Sequence, residues 1–203
     1  MSIVIETIKS RRSIRKFLSD QIKQEELDTI IEAGIYAPTG HNDQPWHFTV
    51  IQNKELIDHI NNEAKKNMVK APIEFISNMG KSDKLHIFHG APTVIVISGK
   101  KDATTPLIDC SAAVQNILLA AESFNIGSCW IGLAKFFFQN PGNAEELDNF
   151  FQTNIDDKFV PGSVEKLSIP EGYEPYFAVT LGYKASKDIP TPKRRSDVIN
   201  YIK

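Results

Sequence analysis

The stretch Thr93-Val94-Ile95-Val96-Ile97-Ser98, introduced by Pro92, constrains this chain more than any other. A strand with one face in water alternates apolar and polar residues, whereas a continuous β-branched run belongs to a strand covered on both faces. A fold containing it must pack helices onto a central sheet. The chain supplies them. Leu27, Ile30, Ile31, Gly34 and Ile35 recur at helical spacing and end before Pro38, which pushes the preceding residue out of helical geometry. Lys54 to Asn67 places Leu56, Ile57, Ile60 and Ala64 on one face, and the alanine-rich stretch Asp109 to Phe124 does the same with Val114, Ile117, Leu118, Ala121 and Phe124. Asp109 is the expected N-cap of this last helix, and Gly127 the expected left-handed residue beyond its end.

Shorter helices are expected at Ser2–Ser10 and Asn143–Phe151, and strands at His47–Ile51 and Tyr176–Leu181, with a short strand or loop at Ser128–Leu133. Residues 68–90 carry little pattern and read as an irregular excursion or lid with one helical turn. Interspersed helices and strands, without repeat or linker, make one α+β or α/β domain over residues 1–203. A net charge of −2 argues against a general nucleic-acid binder. No apolar run reaches the ~18 residues of a membrane span, and the N-terminus lacks a signal-peptide pattern. Cys110 and Cys129 fit neither a disulfide scaffold nor a zinc spacing; a reducing cytoplasm is the simplest setting, and both read as small packing groups. The histidines show no ligand spacing, so no metal is expected.

Two basic clusters and one loop carry the chemistry. Arg11, Arg12, Ser13 and Arg15 put three guanidinium groups and a hydroxyl where a phosphate monoester could take paired, charge-assisted hydrogen bonds; a solvated basic turn is the alternative. Lys193-Arg194-Arg195 could join them only if the fold brings the two ends of the chain together. Between Pro38 and Trp46, the side chains of Thr39, Asn42 and Gln44 suit the polar edges of a flat heteroaromatic ring, and Pro38 its apolar face; a plain helix-to-strand connection is the alternative. Gly127 and Gly132 permit close backbone approach. No Gly-x-Gly-x-x-Gly follows a strand, so no dedicated dinucleotide site is expected.

Taken in order, Arg11-Arg12-Ser13-Ile14-Arg15 with Phe17, Ala37 to Trp46, Ala113 to Gly132, and Gly182-Tyr183 followed by Pro192-Lys193-Arg194-Arg195 resemble the nitroreductase family of flavin enzymes. Ile169-Pro170-Glu171-Gly172-Tyr173 adds to the likeness. The resemblance implies a three-layer α/β/α sandwich of α+β class with a mixed, mainly antiparallel sheet, and a homodimer with flavin mononucleotide (FMN) at the interface. It implies that a tail from about residue 190 to 203 packs across the dimer. Arg11, Arg12, Ser13 and Arg15 would hold phosphate, ribityl and part of the pyrimidine edge, and Lys193 and Arg195 would complete the phosphate site. Pro38, Thr39, Gly40 and Asn42, with Gln44, would reach the ring from the second subunit. The backbone at Ile131 and Gly132 would face flavin N5, and Asn67 the pyrimidine edge. The resemblance also implies hydride transfer from NADH or NADPH through FMN to a small organic acceptor, with ping-pong kinetics. The acceptor could be a nitroaromatic, a quinone, an enone, a halogenated aromatic or a free flavin; a non-enzymatic flavin-binding module is the remaining class. His41 departs from the small residues expected there, and reads either as an acceptor-pocket group or as a surface histidine.

Overall fold

The computed structural model describes residues 2–139, 165–186 and 189–203. The helix expected at Asn143–Phe151 lies outside them. Four strands, β1 (Trp46–Ile51), β2 (Thr93–Lys100), β3 (Ile126–Ile131) and β4 (Tyr173–Tyr183), form a sheet of order β1-β2-β4-β3 with every neighbour antiparallel. Among the described residues parallel pairing occurs at the sheet's edge, where Ser13 forms a parallel bridge to Ser128 and the Ile14 N–H donates to the Ser128 carbonyl at 2.9 Å.

The β-branched run sits in the inner strand β2 and divides two cores. Val94 and Val96 face one, with Ile57, Ile60, Ala64 and Met68 of α3 (Lys54–Val69) and the Phe136–Phe138 side chains of α6 (Lys135–Phe138). Ile95 and Ile97 face the other, with Leu27 and Ile30 of α2 (Gln24–Ile35) and Cys110, Val114, Ile117 and Ala121 of α5 (Pro106–Ser123). Pleating sends successive side chains to opposite faces, so one strand serves both cores and three layers result.

Three expectations are corrected. Residues 68–90 are largely regular: α3 runs on to Val69, and a second helix, α4 (Glu74–Lys81), packs on it. A Cβ on Gly80 would stand 2.7 Å from the Val69 nitrogen, so the close approach needs glycine. The following turn is pinned by His86, whose Nδ1 accepts the Phe88 N–H at 3.2 Å while Nε2 lies 3.2 Å from Asp58 Oδ1. Long connections offer no periodicity to read, and this one is fixed by tertiary contacts instead.

Asp109 is not an N-cap. Pro106 opens α5, Thr105 precedes it in non-helical geometry, and Asp109 lies a turn inside, 4% exposed. Nor is Gly127 a helix cap. Asn125, at φ 57°, takes the left-handed position, while Gly127 is in β3, where a Cβ would meet Ile14 Cγ2 at 2.9 Å. The helix starts three residues before Asp109, and its left-handed residue stands two before Gly127.

Two surfaces stay apolar and exposed. Helix α1 (Ile3–Ser10) buries none of its residues and presents Ile3, Val4, Ile5 and Ile8 to solvent; Val198, Ile199, Tyr201 and Ile202 of the tail are exposed as well. Among the described residues no helix is long and apolar enough to cross a membrane.

Candidate functional site

The basic segment is held by its main chain. Besides the Ser13–Ser128 bridge, Phe17 bridges Lys184 and the Ala185 N–H donates to the Lys16 carbonyl at 3.1 Å. Residues 13–18 therefore run between β3 and the chain leaving β4. Arg12 fixes the turn before them. Its guanidinium donates to the carbonyls of Lys9, Ser10 and Arg11 at 2.6, 3.1 and 2.8 Å, closing the C-terminal end of α1, and also to the Thr191 hydroxyl. Thr191 stands two positions before Lys193, so the bond brings the start of the tail to the turn before the basic segment, while among the described residues no bond joins Lys193 or Arg195 to that segment.

A cavity of about 240 Å³ lies between the two stretches, lined by Ser13, Arg15, Lys16, Ser186 and Ile189. Burial raises the Cys129 thiol above its ordinary pKa, opposed by the Arg15 charge, a Ser13 hydrogen bond and the Arg11 charge. Those groups thus gather beside β3, one residue before Trp130-Ile131-Gly132. Among the described residues neither Arg11 nor Arg15 is ion-paired with a carboxylate. Uncommitted guanidinium donors around a cleft suit an oxyanion such as a phosphate monoester. Lys193 and Arg195 are exposed, and Arg195 makes two 3.1 Å bonds to Asp197.

The loop between α2 and β1 is built differently. His41, Asn42 and Gln44 all have positive φ, at 51°, 60° and 45°. Its hydrogen bonds run within itself, to Lys100 at the end of β2 and to the start of α5, and none among the described residues reaches the basic segment. Within one chain, then, Ser13 and Arg15 share a cleft with Ser186 and Ile189, and the Arg11 charge lies near Cys129 on the same side; Ile131 packs into a core and Gly132 lines a separate cavity, while Pro38, Thr39, Gly40, Asn42 and Gln44 form another group. His41 is exposed. Asn67, in the last turn of α3, donates to the Phe136 carbonyl at 2.9 Å, which spends one of its two N–H groups on joining α3 to α6.

Sequence reasoning missed a second polar group near Gly132. A cavity of about 190 Å³ is lined by Ser111, Trp130, Gly132, Lys135, Tyr176 and Phe177. The Tyr176 hydroxyl donates to Glu174 Oε1 at 2.7 Å, and burial pushes the Lys135 ammonium down to about 8 against the opposing pull of Glu174. The available signal was a charged residue on either side of a buried apolar stretch, Lys135 before Phe136-Phe137-Phe138 and Glu174 before Tyr176-Phe177. Among the described residues no group of histidine, cysteine and carboxylate side chains could hold a metal.

The nitroreductase family model matches residues 8–183. A Methanothermobacter thermautotrophicus protein provisionally named NADH dehydrogenase/NAD(P)H nitroreductase is 31% identical over 199 residues, covering 94% of this chain and 84% of its own. A Bacillus subtilis protein named FMN reductase [NAD(P)H] is 25% identical, covering 99% of this chain and 74% of its own. Among solved structures, a Bacteroides fragilis nitroreductase with bound FMN superposes with a TM-score of 0.83 at 29% identity, over 100% of both chains.

Proposed function

The chain belongs to the nitroreductase family, and from that premise we propose that it binds FMN between two copies of itself, with the phosphate on its basic segment. It is an FMN-dependent NAD(P)H oxidoreductase. When bound, FMN supplies the two-electron carrier between NAD(P)H and an acceptor. The observation that carries the reading is the cleft lined by Ser13, Arg15, Lys16, Ser186 and Ile189, with the Arg12–Thr191 bond tying the tail to the turn beside it.

Each residue then has a physical task. Arg11 and Ser13, with Lys193 and Arg195, bind the phosphate. Arg12 orders the turn through its bonds to the end of α1 and to Thr191. Arg15 lies where a cation stabilises the anionic reduced ring. The backbone of Ile131 and Gly132 faces the ring's reactive edge, and Asn67 its pyrimidine edge. Thr39, Gly40, Asn42 and Gln44 approach from the second copy, and Pro38 covers apolar surface. The exposed apolar faces of α1 and the tail supply surface for that dimer, the tail crossing to the partner, and each copy acts as a single domain. A flavin-loaded monomer in sedimentation at micromolar concentration would contradict the interface.

Reductant and acceptor use the same open cleft in turn, giving ping-pong kinetics, in a cytoplasmic enzyme whose two thiols are buried and free. Nitroaromatics are one acceptor class; the relatives named FMN reductases favour free flavin as another. Rapid mixing of the reduced enzyme with nitroaromatic, quinone, enone, halogenated aromatic and free flavin ranks these classes. Reoxidation by quinone alone would reject the nitro substrate.

A further inference from the structure

We propose that Asp109 and Asp43 are positioning residues for the flavin ring, clamping loop 39–44 in the shape that meets it. The proposal rests on the FMN reading above, and on a loop that would not hold its shape unaided. His41, Asn42 and Gln44 occupy the left-handed region, which costs L-residues about 1 kcal/mol or more each, less for asparagine. Such strain persists only where surrounding structure over-determines it.

Two carboxylates supply that structure. Asp109 is 4% exposed in α5, at a helix position where an apolar residue would pack without desolvation cost. Its oxygens accept the Gly40 N–H at 3.2 and 3.3 Å, and Oδ1 also accepts the Thr105 hydroxyl at 3.0 Å. Gly40 cannot be replaced without moving the pair, since a Cβ would stand 2.6 Å from Thr105 Oγ1. At the loop's other end Asp43 Oδ2 accepts the Thr104 N–H at 2.8 Å. Between these anchors the Gln44 N–H donates to Thr39 Oγ1 at 3.1 Å and its side-chain amide to Asn42 Oδ1 at 3.0 Å. The segment 104–109 thus grips the loop at both ends, fixing the polar groups of Thr39, Gly40 and Asn42 before any ligand arrives. Pre-organisation of this kind lowers the ordering cost of binding. Neither carboxylate need touch the ring; both act through the loop.

The test compares FMN with riboflavin, which has the ring but no phosphate, on the wild-type chain and on Asp109→Asn, Asp43→Asn and Arg11→Ala. Asp109→Asn sets an amide where a bidentate acceptor stood. It is expected to weaken FMN and riboflavin by the same factor, about tenfold, and to alter the visible circular dichroism of the bound flavin, with far-ultraviolet helicity unchanged. Arg11→Ala weakens FMN alone. Should Asp109→Asn fail to fold, the exposed Asp43→Asn carries the test, with about a threefold loss for both ligands. Unchanged affinities and an unchanged flavin signal in folded variants, or a loss confined to FMN, would overturn the positioning role. A wild-type chain that takes up no FMN would overturn the FMN reading itself.

Discussion

The basic segment at Arg11–Arg15 and the polar loop at Thr39–Gln44 are both short irregular stretches following a helix, and they are held on opposite plans. The basic segment is fixed by its backbone, joined to β3 at Ser13–Ser128 and to the strand exit at Phe17–Lys184. Apart from Arg12, its charged side chains contribute little to that shape. The loop has a left-handed, strained backbone, and two carboxylates on and beneath it hold it. Charge can therefore be altered in the first region at little cost to folding, whereas the second couples local stability to ligand geometry.

Separating binding from folding in the first region should give the largest effect. Arg11→Ala is expected to weaken FMN binding by about 1.5–3 kcal/mol, the scale of a hydrogen bond to a charged group, with thermal unfolding of the ligand-free protein unmoved. An equal loss of riboflavin affinity would erase the distinction between the regions. Arg12→Ala probes the exception. Losing its bonds to the end of α1 and to Thr191 should cost about 1–2 kcal/mol of local stability, read as faster proteolysis of the tail; an unaltered cleavage rate would detach the tail from the site.

In the loop, His41→Gly should relieve about 1 kcal/mol of left-handed strain. The ligand-free protein then melts at a higher temperature while riboflavin binds less tightly, because the loop is freer. A gain in both would show that strain is not linked to binding. The smallest effect is one of pH. The Thr104 N–H holds the Asp43 carboxyl below its ordinary 3.8. A depressed carboxyl stabilises fully above the ordinary value, and the contribution fades as pH falls through the lower, folded one. Flavin affinity should therefore decline in acid more steeply for the wild type than for Asp43→Asn, and identical acid profiles would remove Asp43 from the clamp.

The layers were legible because β2 lacks alternation and α2, α3 and α5 keep helical periodicity; each signal is local. The basic segment was legible as charge, and the loop as a cluster of short polar side chains. Asp109 was misread because an acidic residue near a helix start looks like a cap, and only packing shows that it serves a loop 69 positions earlier. The 68–90 segment was read as irregular because α4 is short and its support comes from α3 and from the His86–Asp58 contact. The convergence of the chain's two ends depended on one side-chain bond between residues 12 and 191, which no spacing rule reports.

The central claim is that this fold holds FMN and passes electrons through it from a reduced nicotinamide. Anaerobic titration of the FMN-reconstituted protein with NADH and with NADPH, followed by visible absorbance, tests it most directly. A yellow protein bleached by at least one of the two is the predicted result; a protein that stays colourless after incubation with FMN, or a yellow one that neither nicotinamide bleaches, would contradict it.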